Sequence, residues 1–172
     1  ADSTPTISVT DGTVDEKGLV NGSGEVANPL PNTDNSETTT GTFSYTTGGD
    51  TLSKLEVQNG AGVYIDVTAG GTVVGANGTL TVTNTAGVYT WSYTLSNNLT
   101  THTDTVVGTD GDGNSGTADQ QPGEAFLVRA TVSDGDVSPT DTLNITVNDD
   151  APTANNDTAT QGTENQAFTI NA

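Results

Sequence analysis

Apolar and polar residues alternate with period two along most of the chain, the pattern of strands with one face on a core and one in water. The first run is Thr6-Ile7-Ser8-Val9-Thr10 and the second Thr42-Phe43-Ser44-Tyr45-Thr46. Leu52, Leu55 and Val57 follow, then Val63, Ile65 and Val67. Thr79-Leu80-Thr81-Val82-Thr83 leads into the strongest run, Val88 to Leu95, which sets Tyr89, Trp91, Tyr93 and Leu95 on one face. Phe126, Val128, Ala130 and Val132 share a face of a further strand and turn Arg129 the other way, and Leu143, Ile145 and Val147 close the series. Between the runs, Asn59-Gly60, Asn77-Gly78, Gly48-Gly49-Asp50 and Gly70-Gly71 supply residues that tolerate positive φ, a hairpin signal. The stretch from Gly18 to Thr40 is polar, rich in Asn, Pro, Gly and Ser, and reads as a long surface loop. Short strands at this spacing predict an all-β fold, an antiparallel sandwich over residues 5–149 with almost no helix.

Charge then limits what such a sandwich can do. The 172 residues carry 22 acidic and 3 basic side chains, a formal net charge of -19. No basic footprint exists to neutralise phosphates, so nucleic acid is not an expected partner. An anionic membrane surface repels the chain, no apolar run approaches the roughly 18 residues of a membrane helix, and no direct membrane insertion is expected. No signal peptide is visible, and the missing initiator Met points to a segment of a longer chain. With 0 Cys and 0 Met there is no disulfide, thiol nucleophile or sulfur-ligated metal. An apolar fraction of 30% makes a lean core that needs help from outside.

One internal echo bears on organisation. Asp2-Ser3-Thr4-Pro5-Thr6 opens the chain, and Asp149-Asp150-Ala151-Pro152-Thr153 recurs near its end. Two such junctions bracket one repeat of a tandem array, residues 1–150. Residues 151–172 then form a junction and the first strand of a following repeat, with Ala167, Phe168 and Ile170 as its apolar positions.

The motifs Thr13-Val14-Asp15-Glu16-Lys17-Gly18-Leu19, Gly41-Thr42-Phe43, Gly78-Thr79-Leu80-Thr81-Val82, Tyr89-Thr90-Trp91-Ser92-Tyr93-Thr94-Leu95 and Leu143-Asn144-Ile145-Thr146-Val147-Asn148-Asp149-Asp150-Ala151-Pro152 carry a family likeness through their order and spacing. Together they resemble the tandem repeat of giant bacterial adhesins exported by type I secretion, the RTX adhesin group, over nearly residues 1–153. The resemblance implies an Ig-like or cadherin-like β-sandwich that binds calcium (Ca2+) near domain junctions. It also implies a monomeric extender module of a secreted, cell-surface protein acting in adhesion or biofilm formation, with neighbouring repeats of the same chain as partners. The glycine-rich nonapeptide of the calcium β-roll is matched only loosely, by Gly108-Thr109-Asp110-Gly111-Asp112-Gly113. No β-roll, ice-binding or host-binding activity is therefore carried over.

Calcium takes about six to eight oxygens from carboxylates and carbonyls on flexible loops. Three clusters offer them. Asp149-Asp150 stands at the junction itself. Asp134-Gly135-Asp136 sets two carboxylates around a Gly turn, expected at the same end as Asp15-Glu16. A third loop places Asp110, Asp112 and Asn114 at alternate positions. It begins like an EF-hand but has Ser115 where that loop needs Gly and Gln121 where it needs a bidentate Glu. The bland reading of each cluster is a solvated acidic turn, and the calcium reading is strongest for Asp149-Asp150 and weakest for the Asp110 loop.

Catalysis finds little footing. His102 is the sole His, and no nucleophile elbow surrounds a Ser. Tyr89, Trp91 and Tyr93 are either a sugar-stacking platform or core, and a chain this short of large apolar residues needs them inside. The leading expectation is a non-enzymatic extender. A carbohydrate- or peptide-binding module, gripping through the loops Gly18–Thr40 and Val106–Gly123, is the first alternative, and a glycoside hydrolase the second.

Overall fold

The computed structural model of the chain describes residues 3–20, 22–24, 33–99 and 120–150. Among the described residues ten strands are formed, β1 (Thr6–Val9), β2 (Gly12–Asp15), β3 (Thr38–Thr46), β4 (Leu52–Gln58), β5 (Tyr64–Asp66), β6 (Gly71–Val74), β7 (Gly78–Thr85), β8 (Val88–Leu95), β9 (Gln120–Val132) and β10 (Asp141–Asn148). The only helical element among the described residues is a 3-10 turn at Glu16–Gly18. The strands make two five-stranded sheets, ordered β1-β3-β8-β7-β6 and β2-β10-β9-β4-β5. The fold is an all-β sandwich.

Period-two alternation explains how so few apolar residues close a core. In β8 and β10 Tyr89, Trp91, Tyr93, Leu95, Leu143, Ile145 and Val147 point inward while Thr, Ser and Asn alternate with them on the outer face, where Val88 is exposed as well. Leu55, Val57, Val67, Leu80, Tyr93, Val128, Leu143 and Val147 have no exposed surface. The outward rows of Thr hold the sheet as well, because the Thr6 and Thr46 hydroxyls meet at 2.8 Å across β1 and β3, and those of Thr38 and Thr94 at 3.2 Å across β3 and β8. Tyr93 packs edge-on to Phe126 of the facing sheet, and Tyr45 edge-on to Tyr89.

Trp91 sets the geometry at one edge of the sandwich. Its indole lies in a slot between two bare α-carbons. A Cβ on Gly12 of β2 would stand 2.6 Å from Cη2, and one on Gly41 of β3 would stand 2.6 Å from Cε2. Gly41 pairs with Trp91 across β3 and β8, so the missing side chain is what lets the ring lie over the neighbouring strand.

The turns follow their chemistry, although not always at the residues the sequence points to. Asn59-Gly60 does begin the β4–β5 loop, but its positive φ falls on Gly62. The Asn59 carboxamide organises that loop by accepting from the Ala61 and Val63 amides. β7 and β8 join through Ala86-Gly87, both at positive φ (52° and 86°), the two-residue turn whose twist matches a hairpin.

Two features depart from the expected antiparallel regularity. β2 pairs with β10 in parallel, with Gly12 to Asp15 beside Ile145 to Asn148. β9 starts at Gln120 and runs through Pro122-Gly123, which the sequence assigns to a loop. The β9–β10 register shifts between Ile145 and Thr146, so Glu124 faces Ile145, Pro122 faces Thr146, and Gly123 is the extra bulged residue.

The chain path gives the sandwich two distinct ends. β1 begins beside the C-terminal end of β3, Thr6 opposite Thr46, and β2 continues in the same direction. β10 runs parallel to β2 and leaves at Asn148, beside Asp15. The chain therefore enters at a leading end, formed by Ser3–Pro5 and the β3–β4 and β9–β10 turns. It exits at a trailing end, formed by Asp15–Gly18, Ser36-Glu37, Ser96–Asn98 and Asp149-Asp150.

Candidate functional site: the acidic ends of the sandwich

At the trailing end β2 stops in the 3-10 turn because Asp15 caps it. The Lys17 amide donates to Asp15 Oδ1 at 3.1 Å, and Lys17 Nζ lies 3.6 Å from Oδ2. The turn drives the next side chain inward. Glu16 is only 1% exposed, and the Leu99 amide donates to its Oε1 at 2.5 Å. Gly18 fits this corner because a Cβ there would meet the Glu37 amide and carboxylate, and Glu37 is itself buried. Asp34 accepts from the Ser36 amide at 2.9 Å, and the Ser36 hydroxyl and amide hold its carboxyl below the usual range, with help from Lys17. Asp150 accepts from the Ser23 amide at 2.7 Å and from the Ser23 hydroxyl, which fastens the loop after the 3-10 turn to the departing chain. Between these parts lies an open depression of about 420 Å³ lined by Leu19, Val20, Glu37, Asn97, Asn98 and Asp150. Lys17 is the single cation among the described residues of this end.

The leading end is acidic too, and separate. The Asp136 amide donates to Asp134 Oδ1 at 3.0 Å, and Gly135 between them has φ 102°. Ser133 Oγ donates to Asp50 Oδ1 at 3.3 Å, which joins the β9–β10 turn to the β3–β4 turn. The expectation that Asp134 and Asp136 share an end with Asp15 and Glu16 is overturned. Asp134–Asp136 lies between the C-terminal end of β9 and the start of β10, whereas Asp15 sits beside the last residue of β10. Parallel pairing of β2 with β10 separates the two clusters by the length of a strand.

The structure thus brings Asp15, Glu16, Asp149 and Asp150 to one end and places Asp134 and Asp136 at the other. No group of three or more His, Cys, Asp or Glu among the described residues stands close enough to hold a metal ion. Asp110, Asp112, Asn114 and His102 lie outside the described residues, as does the segment from residue 151 onward. Glu16 is a buried carboxylate that accepts from the Leu99 amide. Tyr89, Trp91 and Tyr93 are 3%, 2% and 0% exposed, which makes them core and not a stacking surface.

Two polar assemblies give the sequence no warning. Thr68, in the crossover from β5 to β6, accepts at Oγ1 from the Leu55 amide at 2.8 Å and donates to Asp66 Oδ1 at 2.6 Å. Its carbonyl accepts from the Tyr89 hydroxyl at 2.9 Å and from Asn84 Nδ2 at 2.8 Å, so one residue ties both sheets together. The Thr68 hydroxyl and amide hold the Asp66 carboxyl below its usual range. Burial pushes the Tyr89 phenol up. The second assembly centres on Glu124 of β9. Its Oε1 accepts the Asn77 amide at 2.5 Å in the β6–β7 turn, and Gly75 offers the carboxylate a surface that any Cβ would block. Burial, and then the Glu124 carboxylate beside it, push the Tyr93 phenol well above its usual range. On the outer face of the second sheet the Arg129 guanidinium lies 3.7 Å above the Tyr64 ring, and its Nε donates to Glu56 at 2.8 Å.

No protein-family model matches the chain, and a search of curated proteins finds no match.

Proposed function

We propose that the chain is a non-enzymatic extender module of a large secreted bacterial cell-surface adhesin, stiffened by calcium where one module meets the next. One observation carries this reading. The described chain enters the sandwich at one end and leaves it at the other, so copies joined in series extend along the strand axis instead of folding back. Compact domains usually have termini that lie close together.

Charge gives calcium its place in the reading. Asp15, Asp34, Asp149 and Asp150 meet the joint from one module, with Glu16 and Glu37 buried behind them, and Asp50, Asp134 and Asp136 of the next meet it from the other side. Two like-charged ends repel unless a cation lies between them. Neither end alone brings three described metal-ligating groups together, so an ion there completes its oxygen shell from both modules.

Small-angle scattering of two copies joined through the natural junction tests this. In millimolar calcium the maximum dimension should approach twice that of one copy, and in chelator it should shorten and broaden. Identical profiles in calcium, magnesium and chelator would remove the calcium joint, and a folded-back pair in calcium would remove the extender.

The trailing-end depression favours a second reading, a carbohydrate- or peptide-binding module of the same adhesin. Binding of the isolated chain on a glycan or peptide array, abolished by Asn98→Ala with Asn97→Ala, would support it.

A further inference from the structure

We propose that β1, β2 and β10 form a shear clamp that gives the module high resistance to tension applied through its two ends. The inference rests on the extender reading for its purpose, but its geometry stands on the strand path alone.

Tension on a tandem array reaches this chain at Ser3–Pro5 and at Asp149-Asp150. It therefore pulls β1 and β2 toward the leading end and β10 toward the trailing end. β2 and β10 are hydrogen-bonded neighbours in parallel register over Gly12–Asp15 and Ile145–Asn148. Opposed pulls along two parallel neighbours act along the strands and across their hydrogen bonds, so every bond of the ladder takes load together. A hairpin pulled from its open end yields one bond at a time. β1 is loaded in the same sense against β3, through Thr6 to Val9 beside Thr46 to Phe43.

Two carboxylates extend the short parallel ladder past its end. Where the chain crosses from β1 to β2, the Val9 amide donates to Asp141 Oδ2 at 2.9 Å. The Asn144 amide donates to Asp11 Oδ1 at 2.8 Å, and Asn144 Nδ2 lies 3.3 Å from the same oxygen. Each bracket joins the first loaded segment directly to the last one. Charge-assisted bonds of this kind are about twice as strong as neutral ones. Val14 and Val147, paired in this ladder and buried, shield it from water on the core side. The parallel pairing, which breaks the antiparallel habit of the rest of the sandwich, thus falls on the two strands that tension reaches.

Single-molecule force spectroscopy on the full chain tests the clamp. One arm tethers the protein through its termini. The other uses Thr4→Cys and Thr140→Cys, both exposed at the leading end, in a chain that has no other cysteine. Terminal pulling should give a rupture force several-fold above same-end pulling at equal loading rate. Equal forces, or a lower terminal force, overturn the clamp and leave the extender reading to the scattering of the two-copy chain. Asp11→Ala with Asp141→Ala should lower the terminal force by more than it lowers the same-end force, which loads the Val9–Asp141 bond as a single peeling step. The exposed Lys54→Ala should change neither, and an unaltered terminal force in the Asp11/Asp141 variant overturns the role of the two brackets.

Discussion

Gly41→Ala places a methyl group against a ring that has nowhere to go. The new Cβ would stand 2.6 Å from Trp91 Cε2, where carbon atoms settle at about 3.5–4.0 Å. The indole must retreat by about 1 Å. Its far edge already faces Gly12, whose own Cβ position lies 2.6 Å from Cη2. With Trp91 2% exposed and wedged between β2 and β3, relief needs a strand displacement or an off-rotamer ring. Overpacking of this kind costs about 1–3 kcal/mol, and the rigid walls put Gly41→Ala near 2–3. In a chain of this length that lowers the melting temperature by about 5–10 °C in differential scanning calorimetry. Trp91→Phe removes the benzo atoms that collide, so the two changes should be non-additive. The double variant should be less destabilised than the sum of the singles by at least about 1 kcal/mol. A Gly41→Ala protein that melts with the parent would falsify the slot, and full additivity would show that the methyl acts elsewhere than on the ring.

Three further outcomes are expected. Ala86→Asn relieves a non-glycine residue at φ 52° on an exposed turn and should stabilise by about 0.5–1 kcal/mol in denaturant titration. Folding raises the Tyr93 phenol above its usual 10.0, so the folded state keeps a proton that the unfolded chain releases; stability holds below pH 10 and falls as pH rises beyond it. Tyr93→Phe should flatten that alkaline limb, and an unchanged slope would refute the assignment. Glu124→Ala withdraws the carboxylate from the Asn77 amide and the Tyr93 hydroxyl, costing about 1–3 kcal/mol by calorimetry, whereas Lys54→Ala should cost far less.

The strands that alternate cleanly were legible because one buried face imposes period two whatever the neighbour. Tyr89, Trp91, Tyr93 and Leu95 all point inward as their spacing predicts. β2 and β6 each bury a single apolar residue, Val14 and Val73, so neither shows an alternation to read, and β6 opens on the Gly71 that reads as a turn. Pro122-Gly123 carries a loop signal that is met inside β9 by a bulge instead. The placement of the acidic clusters was beyond local reading. Which end Asp134 occupies depends on how β9, β10 and β2 pair over more than a hundred residues of separation, and no neighbour of Asp134 encodes that. Glu16 shows the same limit, since its burial follows from the direction the 3-10 turn takes under Leu99.

The opposite placement of residues 3 and 150 sets what rearrangement the sandwich tolerates. Joining residue 3 to residue 150 means crossing the long axis, at least the eight residues of β10. At about 3.3 Å per residue that is roughly 26 Å, so a circular permutant cut back to residues 3–150 needs a linker of at least about eight extended residues. Insertion into a foreign loop meets the same obstacle, because the host must offer two anchor points that far apart. Serial fusion needs no added span, and each copy lengthens the product by one sandwich while its width stays constant.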